Sequence, residues 1–461
     1  MEGYLRLAGI GGGFYEADPV LGARHIPNAT SRWRRACFDV PIRINSQGLR
    51  DVEHGLEKPL GTQRIAVLGD SMAEALQVPL EASFPRLLET MLNSRRGGPP
   101  AEVINFGVAG YGTDQEYLTL KTRGAPYQPD VVLLVFTILN DVRNNSPLLE
   151  GQLGSHPRPY FRLDARGQLV PIPFEIPQRD TAGTVGKIKT VLRPLRLYDV
   201  MVAWVRGRPS LRSFLARVGL LHEAPAPPPG GAGATVPSRR VDPAYLDFEV
   251  YRREPDPEWV EAWQVTEALV RAIRNEVEGM RARFLLVAIP GGVELATPDA
   301  VSKDFPAYTA EEYDLAAPRE RLRRLADAAG MEYVSIFDVF ADDLRTRNGV
   351  LTDLYFWCDG HLASRGHQLV AQAIAEGLRR PGAGPTPAQR ETQRRRSAVS
   401  DGHRLAPAQT HGGRPAWHRE SAGLRSRRGG ESTGHPERAQ GWVEVMPGDR
   451  RDPLAATRPE E

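Results

Sequence analysis

Apolar runs too short to be helices, separated by stretches of helical periodicity, constrain this chain more than any other feature. Ile65–Leu68, Glu102–Asn105, Val131–Thr137, Phe284–Ile289 and Tyr333–Ile336 read as strands. Phe84–Leu92, Asp114–Arg123, Pro257–Glu278, Pro318–Ala329 and Ser364–Leu378 read as helices. The first carries Leu87, Leu88 and Met91 on one face, and the third carries Trp259, Trp263, Leu269 and Ile273. Pro318 falls in the first turn, where its missing N–H costs nothing. Strands that are apolar throughout and alternate with helices imply a parallel sheet covered on both faces. Sites in such sheets lie beyond the carboxyl ends of the strands.

The chain has 461 residues, 41% of them apolar, enough for a sizeable core. The pattern divides it into a lead-in over residues 1–60, a main domain over 61–379 with an insertion at about 145–250, and a tail over 380–461. From Arg380 apolar periodicity ends and Arg394-Arg395-Arg396 and Arg427-Arg428-Gly429-Gly430 appear, so the tail is expected to be disordered. Acids interleaved among these arginines argue against a nucleic-acid arm, and no nucleic-acid partner is expected. Ala224–Ser238, rich in Pro and Gly, reads as a linker. Val185–Leu221 is basic and helix-prone. It reads as an exposed helical insertion, with a membrane-surface or lipid contact as the sharper alternative.

No segment approaches the roughly 18–20 apolar residues that span a bilayer. Met1–Gly13 has no basic-then-apolar signal, so the chain as given reads as soluble, with cytoplasmic and exported settings both open. A net charge of +2 selects no partner. Cys37 and Cys358 make no disulfide framework and lack metal-ligand spacing. The glycines of Gly9–Gly13 follow no strand and do not form a phosphate loop. Asp338, Asp342, Asp343 and Asp353 read as solvated loop acids, and neither a metal nor a cofactor is expected.

Gly69-Asp70-Ser71 ends the first apolar run and delivers a hydroxyl at the sheet edge. A nucleophilic serine needs a base for its proton and donors for the oxyanion that follows attack. Alone, Gly-Asp-Ser is equally a helix N-cap; three later blocks supply the rest. Gly110 ends a strand-to-helix loop and, lacking Cβ, allows close backbone approach, although Gly107 and Gly112 are alternative turn residues. Asn140 follows the run Val131–Leu139 and presents a side-chain amide, or merely closes an Asx-turn. Among ten histidines, His361 is the best base: it sits on a loop between Trp357 and the last helix, with Asp359 two residues before it. His367 falls inside that helix and reads as structural. Position 73 is Ala, so this is not the Gly-x-Ser-x-Gly elbow.

Together, Gly69-Asp70-Ser71, Asn105-Phe106-Gly107-Val108-Ala109-Gly110, Asn140-Asp141 and Asp359-Gly360-His361 resemble the SGNH (GDSL-type) hydrolase family. The resemblance runs from about Asp18 to Leu378, and Ile44-Asn45-Ser46-Gln47-Gly48-Leu49-Arg50-Asp51 is similar to the lead-in of a bacterial esterase/lipase-like branch. It implies a three-layer α/β/α sandwich, flavodoxin-like, with a parallel sheet of about five strands. It also implies a carboxylic ester hydrolase with Ser71 as nucleophile, His361 as base and Asp359 as acid. The N–H groups of Ser71, Gly110 and Asn140 would form the oxyanion hole. Two departures stand out. The family's acid usually sits three residues before the histidine, where this chain has Cys358, so a backbone carbonyl could orient the ring instead. Ile138-Leu139 stand where a glycine is common, narrowing the acyl side. The expected substrate is an O-acetyl or other acyl ester of a glycan, lipid or small molecule. An O-acyltransferase and a non-catalytic glycan-binding module are the alternatives.

Overall fold

The computed structural model describes residues 13–153, 157–176 and 243–379, with isolated positions 192, 195, 197, 201 and 204. The readings of Ala224–Ser238, of most of Val185–Leu221 and of the tail 380–461 lie outside these residues.

Two antiparallel hairpins open the described chain: β1 (Tyr15–Asp18) with β2 (Gly22–His25), and β3 (Thr30–Arg35) with β4 (Phe38–Arg43). The central sheet uses β5 (Gln63–Gly69), β6 (Ala101–Asn105) and β7 (Val131–Thr137), while β8 (Tyr160–Leu163) and β9 (Leu169–Ile172) form a separate hairpin. Strands β10 (Arg283–Ile289) and β11 (Glu332–Ser335) complete the sheet. Its five strands run in the order β11-β10-β7-β5-β6, all parallel.

Strand periodicity explains why both faces are covered. In β7, Val132, Leu134 and Phe136 enter one core while Val131, Leu133 and Val135 enter the other. β5 divides in the same way, Ala66 and Leu68 against Ile65 and Val67. The first core is closed by the helices Pro257–Gly279 and Ala317–Ala329, through Trp259, Trp263, Ile273, Leu322 and Leu325. The second is closed by Phe84–Asn93, Ile336–Arg347 and Ser364–Gly377, through Phe84, Leu88, Phe340, Leu369 and Ile374. Burying each such side chain contributes about 1.5–3 kcal/mol. The fold is the expected three-layer α/β/α sandwich.

One feature corrects the sequence reading and two go beyond it. Asp338, Asp342 and Asp343 are not loop acids: they lie on the helix Ile336–Arg347, where Asp342 pairs with Arg345 and Asp343 with Arg365. Asp353 closes a short turn by accepting the Val350 N–H at 3.0 Å. The lead-in is built of hairpins, and in β4 Phe38, Val40 and Ile42 are buried while Asp39, Pro41 and Arg43 are exposed. That face joins Trp33 and Tyr15 in a third apolar cluster, against Leu76, Val108 and Tyr111. Finally, Cys37 and Cys358 are joined in a disulfide across 321 residues of sequence. No local spacing foretells a pairing set by tertiary approach.

Candidate active site

Strand β5 ends where bulk is forbidden. A Cβ on Gly69 would lie 2.8 Å from the Ala73 Cβ, and one on Gly107 would lie 2.7 Å from it, so the turn after β5 and the loop after β6 pack backbone to backbone. Ser71 opens the four-residue helix Ser71–Glu74, capped by Asp70, whose Oδ1 accepts the Met72 N–H at 2.9 Å. Asp70 is fully buried and further occupied. Its Oδ1 accepts from Thr137 Oγ1 at 2.9 Å and its Oδ2 from Asn140 Nδ2 at 3.1 Å. Ser71, Gly110 and Asn140 follow the carboxyl ends of β5, β6 and β7, three neighbouring strands.

His361 arrives from far along the chain. Its Nε2 lies 2.9 Å from Ser71 Oγ, and its side chain is largely buried. The loop carrying it is a compact turn: Gly360 N–H donates to the Phe356 carbonyl at 2.8 Å, Phe356 N–H to the His361 carbonyl at 2.7 Å, and Gly360 adopts φ +75°. That turn lets an acid two residues upstream reach the ring. Asp359 Oδ2 stands 3.3 Å from Nδ1, an ion-pair distance without hydrogen-bond alignment, and Oδ1 accepts the His361 N–H at 3.2 Å. Gln77 Nε2 donates to Asp359 Oδ2 at 3.3 Å, a support the sequence reading missed.

The electrostatics follow from these contacts. Burial opposes the charged imidazole, but Asp359 and, further off, Asp70 outweigh it and raise the His361 pKa above its ordinary value. Burial likewise opposes the Asp359 carboxylate, yet His361 and Gln77 hold its pKa below the ordinary range. Asp70 is raised by burial, against the hydrogen bonds from Met72, Thr137 and Asn140.

The side expected to face an oxyanion is braced from behind. Gly110 takes φ +76°, so it, rather than Gly107 or Gly112, supplies the left-handed turn. Its carbonyl accepts from Asn144 Nδ2 and Arg158 Nη1, each at 2.9 Å, and the preceding Ala109 N–H donates to Glu74 Oε2 at 3.1 Å. Among the described residues the Gly110 N–H has no intramolecular partner. The Asn140 backbone N–H is taken by the Thr137 carbonyl at 3.3 Å, which leaves the second N–H of the side-chain amide, the first being on Asp70, as the candidate donor at this position. Glu74 also accepts from Tyr15 Oη at 2.6 Å and pairs with His25, so the lead-in supports the loop that presents Gly110. Replacing Asn140 with alanine is expected to lower kcat about 10²–10³-fold with little change in KM, as for loss of one preformed oxyanion donor. Steady-state kinetics on an acetyl ester will check it; a loss confined to KM would mean that Asn140 binds substrate and not the transition state.

Behind these residues lie four buried carboxyl groups, Asp70, Asp114, Glu116 and Asp141, with Arg158 beside Asp114 at 3.3 Å. Among the described residues, neither of the two buried Glu116 oxygens has a hydrogen-bond partner. Burial first, then Asp70 and Asp114, push the Glu116 pKa well above its ordinary value; burial, Glu116 and Asp70 do the same to Asp141. Asp114 is pushed up by burial to about 6, Arg158 opposing. A carboxyl whose pKa is raised on folding stabilises the fold below its unfolded pKa and loses that contribution as pH rises through the folded one. The melting temperature is therefore expected to fall between pH 5 and pH 8, and Glu116→Gln to flatten that slope and raise Tm at pH 8. Differential scanning fluorimetry across pH is the check, and a slope unchanged in the variant would refute it. Among the described residues no group of three or more His, Cys, Asp or Glu side chains is placed to hold a metal ion. No described helix is long and apolar enough to cross a membrane.

The five-stranded parallel sheet and its three layers are those the SGNH resemblance implies. No family model matches the sequence, and no curated protein matches it. Solved structures to which the chain is similar include an acetylxylan esterase from Geobacillus stearothermophilus, at 12% identity over 69% of this chain and 94% of that one, with a TM-score of 0.35. The acetyl xylan esterase AlAXEase is similar at 13% identity over 68% and 99%, TM-score 0.35. A G-D-S-L-family lipolytic candidate from Desulfitobacterium hafniense DCB-2 is similar at 11% identity over 68% and 99%, TM-score 0.33.

Proposed function

We propose that this chain is a serine ester hydrolase of the SGNH type, working through an acyl-enzyme. The observation that carries the reading is the 2.9 Å approach of His361 Nε2 to Ser71 Oγ at the carboxyl edge of the sheet. In this mechanism Ser71 Oγ attacks the ester carbonyl as His361 takes its proton. The Gly110 N–H, the Asn140 amide and the Ser71 N–H receive the developing oxyanion. His361 then returns the proton to the departing alcohol, leaving an acyl-serine and a neutral imidazole. Water attacks that ester with His361 again as base, and the acid leaves. Asp359 favours the imidazolium formed in both steps.

A short acyl group, acetyl above all, suits the acyl side. Ile138-Leu139, directly before Asn140, stand where the resembled family commonly has a glycine, which narrows that side. The alcohol would be a glycan, lipid or small molecule. The test combines a serine-reactive fluorophosphonate with a panel of acyl esters of increasing chain length, with and without a sugar acceptor. Labelling of Ser71 with turnover in water, fastest for acetyl, is the expected result. Turnover only with acceptor would make the chain an acyltransferase, and absence of labelling would leave a binding module.

A further inference from the structure

We propose that the Cys37–Cys358 disulfide positions His361 by tying the acid–base loop to the lead-in hairpin, so that its reduction by a dithiol slows the reaction; this rests on the esterase reading above.

The loop's own hydrogen bonds shape it but do not anchor it. Phe356, Asp359, Gly360 and His361 bond to one another, and Ala363 N–H returns to the Leu354 carbonyl. At its start the loop is held by Tyr355 Oη donating to the Pro290 carbonyl at 2.7 Å. The stretch between that point and His361 faces outward: Trp357 is 52% exposed and Gly360 is exposed. Among the described residues, Phe356 and Cys358 pack on the third apolar cluster, and three specific contacts bind this stretch to the body. They are the Gln77 bond to Asp359 at 3.3 Å, the edge-on packing of Phe356 against Phe38 at 5.2 Å between ring centroids, and the disulfide. Of these only the disulfide is covalent. It joins the residue directly before Asp359 to the connection between β3 and β4, with Cα atoms 6.0 Å apart, a separation usual for such a bridge. The far end is rigid, because Phe38, Val40 and Ile42 bury one face of β4 in the cluster that also holds Leu76 and Val108, next to the nucleophile turn and the Gly110 loop. The bridge therefore references the base to the same body that carries the nucleophile. It occupies the position three residues before the histidine, where the resembled family places its acid.

Both cysteines are half-buried, within reach of a small dithiol. Reduction converts the bridge to two thiols with two electrons and two protons from the dithiol, which itself closes to a disulfide. Such a bridge persists in oxidising surroundings and is lost in reducing ones.

The groups nearest the His361 ring are Asp359 from its own loop, Asp70 and Ser71 from the turn after β5, and His367 from the last helix, with Gln77 bonded to Asp359 behind them. Cys358 directly precedes Asp359 while the His361 ring also rests on Ser71 Oγ, so release of the bridge frees Asp359 more than the buried ring, and the imidazole pKa is expected to drop as the ring settles out of line. The experiment compares the folded full chain before and after dithiothreitol, with thiols counted by alkylation and mass spectrometry. Two readouts are followed: the pH profile of kcat/KM on an acetyl ester, and the His361 pKa by NMR, which needs no turnover. The expected result is a plateau about tenfold lower, given the sensitivity of rate to small misplacements. The acid limb and the NMR pKa should both move to lower pH, and all three should recover on reoxidation. A Cys37→Ser, Cys358→Ser variant should match the reduced protein. An unmoved His361 pKa with both thiols free overturns the proposal, as does finding both cysteines free in protein prepared under oxidising conditions. If the NMR pKa moves although no ester is ever hydrolysed, the tether stands and the esterase reading falls.

Discussion

Ser71→Ala is expected to lower kcat on an acetyl ester about 10⁴–10⁶-fold, the range over which removal of a serine nucleophile acts. The melting temperature should hardly change. The side chain is small, its removal opens no cavity of consequence, and its Oγ contacts are with His361 and a distant Asp70 oxygen at 3.5 Å. The Asp70 cap on Met72, which holds the turn, does not involve the hydroxyl. Kinetics and fluorophosphonate labelling of wild type and variant, with thermal melts of both, decide the matter. Retained labelling in the variant would move the nucleophile elsewhere.

His361→Ala is expected to cost nearly as much, and the Ser71→Ala, His361→Ala double variant no more than either alone, because the two side chains act as one unit. Asp359→Asn should cost less. A fully aligned triad acid changed to its amide loses about 10⁴-fold, whereas Asp359 stands at 3.3 Å off the hydrogen-bond direction and spends its other oxygen on the His361 N–H. Its variant should also shift the acid limb of the rate profile to lower pH, since the Asp359 carboxylate is what lifts the imidazole pKa against burial. Equal losses for His361→Ala and Asp359→Asn would falsify the view that Asp359 assists rather than drives the base.

Much of the sandwich could be read along the chain. Val131–Thr137 matches its strand residue for residue, and Pro257–Glu278 ends one residue short of its helix. Runs apolar at every position have no solvent face, so their burial is declared locally. Strand β4 carries an equally plain signal, with Phe38, Val40 and Ile42 alternating against Asp39, Pro41 and Arg43, but a half-buried strand of this kind stands out less along the chain than runs apolar at every position. The helix Ile336–Arg347 was harder to see: only Ile336 and Phe340 are buried among many acids and arginines.

What the amino-acid order determined by itself was the layered sheet and the candidate chemical groups, because apolar period and residue chemistry are local properties. Ser71, Gly110, Asn140, Asp359 and His361 were nameable for that reason. Only the tertiary structure decided the supports: Gln77 on Asp359, Glu74 under Ala109, Arg158 and Asn144 on the Gly110 carbonyl, and Cys358 bound to Cys37. These are polar or covalent links between segments distant in sequence, several of them to backbone groups that every residue carries. Which donor meets which acceptor depends on how loops close in space, and no pattern along the chain records that.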